Sequence, residues 1–403
     1  MKKLLLSVAL TALAIGATAQ SHLRIWQKGE SNRMKIANMG DITFSGNTLN
    51  MKGQTYNLTD IDSIVVVPEV TISYEEGKAN VTITKNANVQ ASVNGAHVTL
   101  TNNDTSNEVE ITLKGNSTNG SLTYNGAYKC TFILDGLSLT NPNGSPLDIQ
   151  CGKRVALVLN DGTTNNLYDG ANGTQKACLY CKGHLEIEGN GTLNVSGNAR
   201  HAIASKEYLQ LKRSTGTINI LKAASDGIHC GQYFQMNGGT INIDANTMAD
   251  GIQAEAILKA DGTVDTQEEQ NGQIIIKGGT INEVITHEDC KGIKCDRDVT
   301  ISGGTIKIDA NGNGSRGIQT DGSMTIGETD AKTNITINAN GALCTNPDCE
   351  EDPHRCMGIK VDGNLTVTGG ITTVTNTGKK SRGIKVGGTY SKTGGTVNAT
   401  ITN

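Results

Sequence analysis

The sequence predicts an all-β protein wound as a parallel β-helix with about 25 residues per coil. Three observations carry this. A Gly-Ile pair recurs at Gly227-Ile228, Gly251-Ile252, Gly292-Ile293, Gly317-Ile318, Gly358-Ile359 and Gly383-Ile384, with degenerate copies at Cys178-Leu179 and Ala202-Ile203. The intervals are 24, 25, 24, 41, 25, 41 and 25 residues, each 41 being a 25 lengthened by 16. A second mark follows in most periods: Gly191-Thr192-Leu193, Gly216-Thr217-Ile218, Gly239-Thr240-Ile241, Gly279-Thr280-Ile281, Gly304-Thr305-Ile306 and Gly395-Thr396-Val397. Third, short alternating strands such as Leu209-Gln210-Leu211 and Val299-Thr300-Ile301 fall between the two marks. Three such strands per period, separated by Gly, Asn and Asp, make one coil, and each coil hydrogen-bonds to the next at about 4.8 Å. No window holds a 3.6-residue period beyond two turns, which disfavours a helical bundle.

Composition removes other classes. The 403 residues include 49 Gly and only 3% aromatics, too few for several aromatic-anchored cores. The glycines lack the three-residue period of collagen. Net charge is −4, with 35 Lys+Arg against 39 Asp+Glu, so no basic nucleic-acid surface is expected. Seven scattered histidines without a strand-elbow motif argue against a Ser-His-Asp hydrolase.

The elements follow in chain order. Residues 1–19 read as a signal peptide: Lys2-Lys3, an apolar core from Leu4 to Ile15, and Ala17-Thr18-Ala19 before Gln20. Export follows, with a periplasmic, cell-surface or extracellular destination and no transmembrane anchor. Residues 20–68 read as a small β module ended by Pro68. Residues 69–145 carry capping strands and the first wide coils, since a solenoid must cover its open strand edge. Residues 146–403 hold the regular coils, with insertions near 255–272 and 330–355.

Alternation assigns the faces. The isoleucines of the Gly-Ile pairs stack inward. Cys181, Cys230 and Cys295 share the inward place two residues on, two coils apart and beyond disulfide reach, and are expected as buried thiols. The Cys178-x-x-Cys181 spacing should put its two thiols on opposite faces. A loop disulfide is expected among Cys344, Cys349 and Cys356. On the Gly-Thr side, the threonines stack outward, and so do Asn194, Asn219, Asn242, Asn282 and Asn398.

Residues from Val155-Ala156-Leu157 through Asn160-Asp161-Gly162 to Leu167, with Ala202-Ile203-Ala204-Ser205-Lys206, Ser225-Asp226-Gly227-Ile228 and Ala249-Asp250-Gly251-Ile252, carry a resemblance. Over about 70–401 the chain resembles an exported bacterial carbohydrate-binding β-helix family, similar in fold to pectate lyases. The resemblance implies a right-handed coil, calcium at Asp-rich positions and affinity for plant-type polysaccharides without demonstrated cleavage.

Site candidates follow from residue type and stacking. Asp226 and Asp250 take one position on adjacent coils, where two carboxylates repel unless a cation or proton intervenes. With Glu207 one coil earlier they form a candidate Ca²⁺ site; the alternative is Asp capping amides in a bend. Downstream the position holds Lys291, Arg316, Met357 and Arg382, so any such site is confined to the 200–255 coils. Tyr208 and Tyr233 share an outward position, either as a sugar platform or as a lateral stack. Lys206 completes the carbohydrate-binding set. Three functions stay open: a non-catalytic binder of pectin- or cellulose-like polysaccharide, a calcium-dependent lyase with Lys206 as base, and a surface adhesin or structural stalk.

Overall fold

The computed structural model describes residues 22–27, 30–35, 41–51, 53–84, 87–328, 332–345, 349 and 354–402; residues 1–19, where a signal peptide is expected, and part of the second insertion lie outside them. Every regular element among these is a β-strand. The expected solenoid is present, with about 12 turns roughly 25 residues apart.

Two small sheets precede it. His22–Gln27 pairs antiparallel with Glu30–Lys35 and Ile61–Val67. Thr43–Ser45, Thr48–Met51 and Gln54–Asn57 form a meander. Together they enclose a core of Leu23, Ile25, Leu49, Met51 and Tyr56. Arg24 reaches from this region to the first coils, 3.0 Å from Glu108 and 2.7 Å from Glu110.

At the near end of the solenoid, Glu69–Glu75 turns back antiparallel to Lys78–Ile83, and Val89–Asn94 runs antiparallel to Ala96–Asn102. These reversals occupy edges that would otherwise offer unpaired amides. From there the ladders are parallel. Strands carrying the Gly-Ile mark form a sheet of 13, and the other two strands of each coil form a sheet of 22. Ile203, Ile228, Ile252, Ile293, Ile318, Ile359 and Ile384 pair in one unbroken register. All are buried within one core that runs from Val70 to Val386. Each buried isoleucine contributes about 1.5–3 kcal/mol relative to exposure.

Both marks have a steric cause. A Cβ on Gly227 would lie 2.7 Å from the carbonyl oxygen of Gly251, and one on Gly317 would lie 2.7 Å from that of Gly358. The next coil's backbone occupies the space a side chain would need. In the second mark Gly239, Gly279 and Gly304 have φ of 87°, 92° and 90°, a region closed to most side chains.

The polar exterior of the 22-stranded sheet is ordered too. Asn194 donates to Asn166 at 2.8 Å, Asn219 to Asn194 at 2.7 Å, Asn242 to Asn219 at 2.8 Å and Asn282 to Asn242 at 2.9 Å. Asn398 lies outside this run and meets Thr373 instead, because Lys307, Thr336 and Thr373 interrupt the row.

The cysteines are mostly core. Cys181, Cys230 and Cys295 are buried free thiols, as their inward register requires. Cys178 is buried as well, so the predicted opposite-face arrangement of the Cys-x-x-Cys pair does not hold: its place is the coil corner taken by glycine in later coils. Cys344 and Cys349 form a disulfide in the second insertion. The first insertion is tied down by buried Asn271, which accepts from the Ile257 amide at 2.7 Å and donates to the Ile257 and Asp265 carbonyls.

Candidate functional site

Pairing along the 13-stranded sheet sets one outward row: Thr123, Asp148, Tyr180, Ala204, His229 and Gln253, then Lys294, Gln319 and Lys360. Ala204 is the shortest member of its stretch. It leaves a notch of about 250 Å³ between Tyr180 and His229. A second depression of about 580 Å³ adjoins it over the coils of Thr123 and Asp148. Lys176, Tyr180 and Lys206 line both, so the two form one groove. From the Thr123 coil to the Glu255 coil it runs about 24 Å, at about 4.8 Å per coil.

The groove is cationic. Lys176, Lys182, Arg200 and Lys206 are exposed along it, and none forms an ion pair with another described residue. The ammonium of Lys176 lies over the Tyr180 ring, 5.2 Å from its centre. Tyr180 is itself largely buried, and inside a hydrophobic run it carries no separate sequence signal.

At the far end of the notch His201, Asp226 and His229 converge. Asp226 Oδ2 is 3.2 Å from His201 Nδ1 and 3.0 Å from His229 Nδ1, and the two rings stack with centres 4.4 Å apart. Burial pushes the Asp226 carboxyl up, but hydrogen bonds and charge from the two imidazoles outweigh it and hold it well below the usual range. Burial lowers His201, while for His229 the Asp226 contact and Glu255 overcome burial and raise it. Asp226 Oδ1 accepts the Asp250 amide at 3.1 Å, and Asp250 Oδ1 accepts the Lys291 amide at 2.8 Å. Burial, with the neighbouring Asp226 charge, pushes Asp250 up to about 6 against Lys291 and Lys294.

The predicted calcium set is thus only partly gathered. Asp226 and Asp250 are neighbours, but Glu207 turns away to pair with His184. Calcium takes six to eight oxygens. Here one Asp226 oxygen faces two nitrogens and Lys294 lies 3.8 Å from Asp250, so these residues do not fit it. The two histidines escaped the sequence reading because they fall at different offsets within their coils, His201 in the place of Asp226 and His229 three residues later.

Tyr208 and Tyr233 do meet, with ring centres 4.7 Å apart, and His184 extends the stack at 4.3 Å from Tyr208. Their faces cover one another, and the Tyr208 hydroxyl donates to Glu186 at 2.9 Å. Tyr233 is only 8% exposed. The stack therefore braces adjacent coils and offers no open ring face for a sugar. Lys206, the third predicted residue, does line the groove.

The chain belongs to a family of carbohydrate-binding domain-containing proteins, which matches it over residues 94–402. A carbohydrate-binding domain-containing protein of Acetivibrio thermocellus is 27% identical over 99 residues, covering 23% of this chain and 35% of that protein. The chain thus matches about a third of that relative's length. The solved structure of a polysaccharide lyase-like protein from C. thermocellum, a gadolinium derivative, superposes with a TM-score of 0.52 at 23% identity. It covers 66% of this chain and all of that one, a likeness of fold.

Proposed function

We propose that this chain is an exported, non-catalytic carbohydrate-binding protein that holds an acidic polysaccharide along the groove of the 13-stranded sheet. One observation carries the reading: four exposed cations without ion-pair partners surround a single groove. Such cations are poised for carboxylates spaced along a polymer, and the parallel coils give the groove a linear, repeating floor. Serine, asparagine and glutamine side chains on that floor supply hydroxyl and amide partners for sugar hydroxyls. Binding without cleavage is supported by the state of Lys206, the one base the sequence suggested for a lyase. Its ammonium has no hydrogen-bond or ion-pair partner among the described side chains that would orient it.

Calorimetry of the mature protein against pectin-like and cellulose-like polymers tests this. Saturable, salt-sensitive binding of the acidic polymer, with no unsaturated product appearing in the ultraviolet, is the expected result. Preference for the neutral polymer removes the electrostatic reading, and product formation replaces it with a lyase.

A further inference from the structure

We propose that His201, Asp226 and His229 form a binding site for a divalent transition metal of the zinc class. Their three ligand atoms lie within 4.8 Å of one another. Tetrahedral zinc, with bonds of about 2.0–2.2 Å, needs ligand-to-ligand edges of about 3.3–3.5 Å. The two Asp226–His distances, 3.2 and 3.0 Å, are already close to that. Two imidazole nitrogens and one carboxylate suit zinc, cobalt or nickel and disfavour calcium.

The surroundings add to this. Nδ1 of both histidines faces the same Asp226 oxygen, so the three ligand atoms converge on one point. His201 and Asp226 are each only 4% exposed and are held in consecutive coils of the ladder, so the set is rigid before any ion arrives. Supporting contacts resemble those around metal ligands: Asp226 Oδ1 is fixed by the Asp250 amide, and His229 Nε2 points toward Glu255 at 3.6 Å. The side away from the protein opens into the notch, which leaves room for a fourth ligand. Arg200 and Lys206 line that notch and favour an anion in the fourth position.

The test uses the full mature chain, stripped with chelator and returned to chelator-free buffer. Equilibrium dialysis against Zn²⁺ should give one ion per chain, retained in millimolar Ca²⁺. Co²⁺ should give the intense visible bands of a four-coordinate N/O site. His229→Gln changes a half-buried residue and should weaken zinc binding by roughly 100-fold or more, beyond the loss seen for supporting residues. His184→Gln, altering the other histidine–acid pair, should leave it unchanged. Circular dichroism and the melting profile establish that each variant is folded. Equal zinc binding in His229→Gln and the parent, displacement by calcium, or octahedral-type weak Co²⁺ bands would overturn the site. Because no glycan is present, this result is independent of the polysaccharide reading.

Discussion

The two halves of one sheet treat the same charge in opposite ways. Downstream of the first insertion, the buried cations on the 13-stranded sheet are paired: Arg316 lies 3.3 Å from Asp289, Lys291 3.6 Å from Asp289, and Lys360 3.2 Å from Asp362. Upstream, Lys176, Lys182, Arg200 and Lys206 have no such partner among the described residues. The fold is shared, but Lys291 and Arg316 take the coil corner and Lys360 the outward row, whereas Lys176, Lys182, Arg200 and Lys206 flank the strands. Beyond place and burial, what differs is whether a carboxylate was built beside the cation. Pairing makes a cation part of the scaffold, and its absence leaves charge available to a ligand.

The sharpest contrast is between two arginines. Arg316 is buried to 1% exposure, and Arg316→Ala should cost about 1.5–3 kcal/mol by removing its charged hydrogen bond to Asp289, which keeps Lys291. Arg200→Ala should stay within about 0.5 kcal/mol of the parent, as surface substitutions do. Chemical denaturation of both checks this, and equal losses would break the comparison.

Glu283 sits at the boundary between the halves, in an aliphatic rung between Ile243 and Ile308. It is buried, and among the described residues its Oε2 finds no hydrogen-bond partner. Burial, with the Asp250 charge adding, pushes its carboxyl well above the ordinary 4.5. The folded state therefore holds the proton more tightly than the unfolded one. Stability is lost as pH rises from 4.5 toward the folded value. Glu283→Leu should stabilise the protein by about 1–3 kcal/mol at neutral pH. The gain should shrink below pH 4.5, where both states are protonated; melts at acid and neutral pH measure the difference.

Neutralising Lys176, Arg200 and Lys206 together should weaken acidic-polymer binding roughly tenfold or more, about 1.4 kcal/mol. The effect should fade in high salt. The same change at Lys294, Lys360 and Lys385 should leave binding intact. A smaller effect is expected within the 22-stranded sheet: Asn219→Ala should cost about 1 kcal/mol by removing two amide bonds, while Asn398→Ala should cost a few tenths at most. Thermal melts resolve the pair.

The coil register was legible because it is written in steric necessity. Glycine is required where the next backbone approaches, and isoleucine where the core is continuous. The tyrosine stack and the position of Lys206 followed from the same register. The histidine pair was not legible, because His201 and His229 come together through different offsets on adjacent coils, which no single period reveals. Nor was the fate of Glu207: a side chain in a connection between strands has freedom that the ladder does not constrain, and His184 claims it. The groove depended on the small size of Ala204, a feature that carries no motif.

The asparagine row has a direction. From Asn282 back to Asn166 every amide nitrogen gives to the oxygen of the coil before it, so the side-chain dipoles add rather than cancel. The oxygen-rich end points down the axis, where Lys307 takes the next place in the row. Lys307 ends the run there, its ammonium paired with Asp309 at 3.7 Å. Each asparagine needs only one like neighbour on either side, so a coil could be duplicated or deleted inside the run without disturbing the rest. The molecule can therefore change length by whole turns while its cross-section stays the same.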